Sequence, residues 1–113
     1  MSDLLIHASK LFTGEGVLED AQLRVEGEHV VEIAERAPQA SGSVTRIEAP
    51  RATLLPGLID CHVHLSIGGG PDWLSELTES YALTCFKSLF RARATLESGV
   101  TTVRVLAGRP GLA

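Results

Sequence analysis

His62 and His64 stand two residues apart in the run Leu55-Pro56-Gly57-Leu58-Ile59-Asp60-Cys61-His62-Val63-His64-Leu65. Alternate residues of a β-strand share a face, so a strand here points both imidazoles the same way. Two imidazoles side by side can grip one divalent metal, and imidazole nitrogen suits zinc and its neighbours. A catalytic zinc takes about three protein ligands and an open position for water, so the pair supplies only part of a centre. Asp60 falls on the same face one step deeper, where its carboxylate could orient a ligand from behind or act as a paired structural group. Cys61 and Val63 point the other way, and Cys61 is expected to be a small buried hydrophobe.

The flanking residues build the frame for that pair. Pro56-Gly57 is a turn, Leu58-Ile59 starts a buried strand, and Gly68-Gly69-Gly70-Pro71 is a flexible exit. No Gly-Lys-Ser/Thr follows these glycines, so they form no phosphate loop. Leu74, Leu77, Tyr81, Cys85, Leu89, Ala92 and Leu96 then recur at helical steps, widened by Ala82, Phe86 and Phe90. Asp72 or Gly70 can cap the start of a helix over 72–98, with an early break, and Gly99 can close it. Val100 to Leu106 reads as a strand. Strand, helix, strand makes a βαβ unit with parallel pairing and a right-handed crossover. Upstream, Leu4-Leu5-Ile6, Gln22 to Glu26, His29 to Ala34, Val44 to Glu48 and Ala52 to Leu55 read as short strands of an antiparallel meander. Turns at Thr13–Gly16 and Gly27-Glu28 and a small-residue connection over Pro38 to Ser43 separate them.

The stretch Leu55 to His64 resembles the first barrel strand of the amidohydrolase superfamily. Gly99-Val100-Thr101-Thr102-Val103-Arg104 is similar to the second barrel strand in its imidazolonepropionase-like and Xaa-Pro dipeptidase-like branch. The resemblance implies an α/β chain in two parts. Residues 1–55 would belong to a composite β-sandwich, and 56–113 would begin a (β/α)8 barrel as strand, helix and strand. It implies that His62 and His64 bind a divalent metal, zinc by expectation, with one or two ions in the complete enzyme. The implied activity is hydrolysis of C–N bonds in a small molecule, a cyclic amide or dipeptide-like amide, by metal-activated water. Its remaining ligands and its acid–base residue fall outside this sequence, so no catalytic residue is expected within it. Arg104 lies near the same barrel mouth, where it could pair with Asp60 or meet an anionic substrate. An acidic residue often follows that arginine in the branch, whereas Val105 stands here.

A barrel of this type takes about 250 residues. The 113 residues here therefore read as the first part of a larger enzyme, inactive alone. The alternative is a non-catalytic remnant or β-rich module completed by a partner chain, and a homo-oligomer is open. The net charge of -4 and scattered arginines argue against nucleic acid as a partner. No basic leader, no long apolar run and only two cysteines leave a cytoplasmic protein without membrane or disulfide framework as the expectation. His7 and His29 read as ordinary strand residues, Cys85 as part of the helix stripe, and Trp73 as either a substrate contact or a packing residue.

Overall fold

The computed structural model describes residues 3–35, 44–109 and 111–112. The chain forms two compact units, Met1–Pro56 and Gly57–Ala113. The first holds strands β1 (Asp3–Phe12), β2 (Val17–Glu26), β3 (His29–Ala34) and β4 (Val44–Leu54) in one sheet, ordered β3-β2-β1-β4. The hairpin of β2 and β3 forms as the alternating pattern requires, turning at Gly27 with φ +61. The expected connection over Pro38 to Ser43 lies outside the described residues.

Two expectations for this sheet are corrected. Val44–Leu54 is one strand, not two, and it pairs parallel with β1 instead of closing an antiparallel meander. Pro50 does not end the strand, because the ladder shifts register between Ala8 and Lys10, and there the missing N–H costs no paired bond. Ser9 Oγ donates to the Ala52 carbonyl at 2.8 Å across this irregularity. The central strand β1 is packed from both sides and supplies Leu5, Ala8 and Leu11 to the core, with Ala21 set opposite Ala8.

The second unit holds β5 (Leu58–Val63), α1 (Trp73–Glu76), α2 (Tyr81–Glu97) and β6 (Val100–Val105). β5 and β6 pair parallel, and both helices lie between them in sequence. The apolar run therefore yields two helices. Ser80 opens α2, its Oγ accepting the Leu83 N–H at 3.3 Å, a cap the periodicity did not single out. Gly99, at φ +94, closes the helix in the left-handed region. Gly57 opens β5 against Thr101, so closely that a Cβ on Gly57 would lie 2.1 Å from Thr101 Oγ1.

Burial departs from the expectation for this unit. β5 is largely exposed, Cys61 included, because its single partner strand covers only part of it. On α2 only Thr84 is buried, while Phe86, Leu89 and Phe90 are 74%, 69% and 75% exposed. The apolar stripe is a surface in this chain. No helix among the described residues is long and apolar enough to cross a membrane.

Candidate metal centre

β5 ends at Val63, so His62 is its penultimate residue and His64 the first beyond it. The pleat sends both rings to one side, and their Nε2 atoms stand 3.3 Å apart with the rings edge to face at 76°. Two nitrogens bound to one tetrahedral zinc at about 2.05 Å would be separated by about 3.3 Å. The observed spacing matches that separation, and it also lies within hydrogen-bond range, at the long end for a bond between rings.

The tautomer needed for this is set on the other side of His64. Its Nδ1–H donates to the carbonyl of Ala107 at 3.2 Å, which leaves the Nε2 lone pair facing His62. Ala107 follows β6, so the loops after the two parallel strands meet at the histidine. A second tie runs alongside: the backbone N–H of Arg109 donates to the buried Ser66 Oγ at 2.9 Å. Gly108 passes so near that a Cβ there would come within 2.4 Å of Ser66 Oγ. The sequence marks Ser66 only as the start of a loop over Ser66 to Asp72 that could touch substrate, and it does not single out Ala107 or Arg109. A backbone carbonyl carries no residue signature, and only the proximity of Gly108 to the second strand hinted at a close approach.

Asp60 and Arg104 are placed differently from expectation. The Asp60 Oδ1 accepts the backbone N–H of His62 at 3.0 Å, so it secures the strand end and not an imidazole nitrogen. Arg104 is exposed and forms no ion pair among the described residues. Asp60 is aligned with Val103 across the parallel pair, so the following residue starts on the opposite face of the pleat. Cys61 is a free, exposed thiol and Cys85 a free, half-buried one.

Beside His64 opens a cleft of about 390 Å³ lined by Ile67, Gly68, Gly69, Trp73 and Ala107. Trp73 is thus a wall of the space next to the histidines. The loop between them is fixed by Glu76, whose Oε2 accepts the Gly68 N–H at 2.5 Å. Arg91 completes this anchor with Nη2 at 2.8 and 2.9 Å from the two Glu76 oxygens and Nη1 at 3.2 Å from the Leu65 carbonyl. The Gly68 N–H first, and then Arg91, hold the Glu76 carboxyl below its ordinary pKa. Glu79 in turn raises Lys87, whose ammonium lies 2.5 Å from it.

No protein-family model matches the chain. An imidazolonepropionase of Pseudomonas paraeruginosa (strain DSM 24068 / PA7) is 42% identical over 65 residues, 56% of this chain and 16% of that protein. A dihydroorotase of Staphylococcus epidermidis is 31% identical over 55 residues, 49% of this chain and 13% of that protein. The crystal structure of a Xaa-Pro dipeptidase with bound methionine in the active site superposes with a TM-score of 0.82 at 27% identity. It does so over 94% of this chain and 27% of that one.

The chain matches the N-terminal portion of the amidohydrolase superfamily. It spans about an eighth to a quarter of the length of these relatives. This amidohydrolase-like segment presents two converging imidazoles, and among the described residues no group of three or more metal-binding side chains is present. His62 and His64 would supply two ligands of a metal centre and no more.

Proposed function

We propose that this segment supplies the first metal ligands and one wall of the substrate site in a metal-dependent hydrolase of C–N bonds. The observation that carries the reading is the convergence of His62 Nε2 and His64 Nε2 at 3.3 Å, with the His64 tautomer fixed through Ala107. In a complete enzyme the segment is the composite β-sandwich portion, residues 1–55, and the opening of a (β/α)8 barrel, residues 56–113. Its histidines then lie at the C-terminal end of the first barrel strand, where barrel enzymes place their chemistry.

His62 and His64 would hold a divalent ion, zinc by their chemistry, with further ligands and the acid–base group on other strands. When bound, that ion lowers the pKa of a water and polarises the scissile carbonyl. The chain's own contribution is positional. Asp60 fixes the strand end, Ala107 keeps the His64 lone pair directed at the ion, and Ile67 and Trp73 give the adjoining cleft an apolar lining for a small cyclic or dipeptide-like amide.

The exposed Phe86, Leu89 and Phe90 and the two-stranded β5–β6 pair favour completion by further polypeptide. That polypeptide is a continuation of this chain or, in the second reading, a separate partner. The test is zinc binding by the 113-residue chain, followed through the imidazole resonances of His62 and His64, together with turnover of a cyclic amide and an Xaa-Pro dipeptide. The expected result is zinc binding that His62→Ala and His64→Ala each abolish, with no turnover until the missing strands are supplied. Zinc binding unchanged by both substitutions would refute the assignment. Chelator-sensitive hydrolysis by the 113 residues alone would refute the need for further strands.

A further inference from the structure

Arg109 joins three parts of the second unit. Its backbone N–H donates to Ser66 Oγ at 2.9 Å, in the loop after β5. Its guanidinium donates through Nη1 to Thr84 Oγ1 at 2.9 Å and through Nη2 to the Leu77 carbonyl at 3.2 Å. Ser66 and Thr84 are each only 2% exposed, and they are the buried polar residues of the described chain. Thr84 Oγ1 spends its own proton on the Ser80 carbonyl at 3.2 Å, so it is left as an acceptor for the guanidinium. A five-donor planar group spanning a helix hydroxyl and a carbonyl between the helices is held in a fixed orientation. Two residues upstream in the same segment is the Ala107 carbonyl that accepts the His64 Nδ1–H.

We propose that Arg109 is a positioning residue for His64. By pinning the segment after β6 to α2 and to Ser66, it keeps the Ala107 carbonyl against Nδ1 and so keeps the proton off the metal-facing Nε2. The inference rests on the metal reading only for its consequence, because the tautomer exists without any ion. Free imidazole prefers its proton on Nε2. Release of the Ala107 carbonyl therefore lets His64 present an N–H where a lone pair is needed. Outer partners of metal-binding histidines are worth about 10- to 100-fold in metal affinity. Arg109 acts through one more link, so a weakening of about tenfold is expected.

The experiment is long-range proton–nitrogen correlation NMR of the imidazole rings in the metal-free 113-residue chain, followed by titration with Zn2+ alone. In the wild type His64 is expected as the Nδ1–H tautomer. Arg109→Ala should shift it toward Nε2–H and weaken zinc about tenfold, while the His7 ring signals in the first unit stay unchanged. Thr84→Val removes the guanidinium's acceptor with little change of shape and should move the tautomer in the same direction. It keeps the test alive if Arg109→Ala unfolds the second unit. Arg109→Lys, which retains one donor toward Thr84, should lie between. A wild-type His64 protonated on Nε2, or a tautomer unmoved by both Arg109→Ala and Thr84→Val, would overturn the proposal. A tautomer that responds as expected in a chain that binds no zinc would uphold the positioning role and count against the metal reading.

Discussion

Replacing Gly108 by alanine tests the close packing of the two loops that meet at His64. The added Cβ would lie 2.4 Å from Ser66 Oγ and 3.6 Å from Ser66 Cβ, and Gly108 is not in the left-handed region. The cost is therefore steric and falls on a single buried hydroxyl. That hydroxyl cannot rotate away without leaving the Arg109 N–H unpaired. Overpacking of this kind costs about 1–3 kcal/mol. Ser66→Ala alone removes the acceptor of the Arg109 N–H and costs about 1–3 kcal/mol for the orphaned donor. In the double variant the 2.4 Å contact disappears, the next neighbour is at an ordinary 3.6 Å, and only the lost hydrogen bond remains. With each single change near its midpoint of about 2 kcal/mol, the double variant should also cost about 2, against about 4 for additive effects. Trp73 is the chain's one tryptophan and belongs to the second unit, so its fluorescence during urea unfolding reports that unit. At about 1 kcal/mol per molar urea the two cases differ by about 2 M in midpoint. A double variant whose loss equals the sum of the single losses would refute the packing argument.

Three further outcomes follow from the contacts. His7 is clamped between Asp20 Oδ1 at 2.7 Å and Glu48 Oε2 at 2.8 Å, and these bonds, Asp20 first, raise its pKa. Both ring nitrogens can donate only in the imidazolium, so its stabilisation is complete below the ordinary histidine range and fades as pH rises through the raised value. Thermal unfolding by circular dichroism at about pH 6 and about pH 9 should differ in the wild type and lose that difference in His7→Gln. Glu76→Gln removes the charge that holds Gly68 and Arg91, so the Gly68 amide should exchange with solvent measurably faster. The wild-type tie is full above the ordinary carboxylate range and lost as pH falls through the lowered value; unchanged Gly68 exchange in the variant would count against the anchor. Phe90→Ser on the open face of α2 should alter stability by less than about 0.5 kcal/mol while reducing self-association in sedimentation, and a large loss of stability would show that the face is packed.

The convergence of His62 and His64 is legible in the sequence because a period of two is the strongest statement a short strand makes, and both stand at its end. The β2–β3 hairpin was readable for the same reason, with Gly27 marking the turn. The parallel placement of β4 was not, since strand direction depends on which partner is reached across a long connection and no local pattern records it. The gap expected between Glu48 and Ala52 is bridged in the structure, because the ladder shifts register there and Pro50 falls within the shift. The exposure of Phe86, Leu89 and Phe90 could not be read either: a helical stripe gives the face that wants burial, not whether a neighbour covers it. The contact that orients His64 runs through the Ala107 carbonyl, and the tie beside it through the Arg109 amide, groups that every residue type but proline possesses in full. Arg104, by contrast, stands out in the sequence by its charge and its place in a motif, and the pleat turns it away from Asp60.

The parallel pairing of β1 with β4 has a consequence for the order of assembly. β1, β2 and β3 meet through tight turns and so form by local closure, while His7 and Glu48 are 41 positions apart and β4 must be captured across that separation. Contacts of long sequence separation meet their ordering entropy before any gain, so β4 is expected to dock last and to set the folding rate of its sheet. Only Leu55, Pro56 and Gly57 then separate this late strand from the one carrying the histidines. During synthesis the strand carrying the two histidines therefore emerges immediately behind the strand expected to dock last.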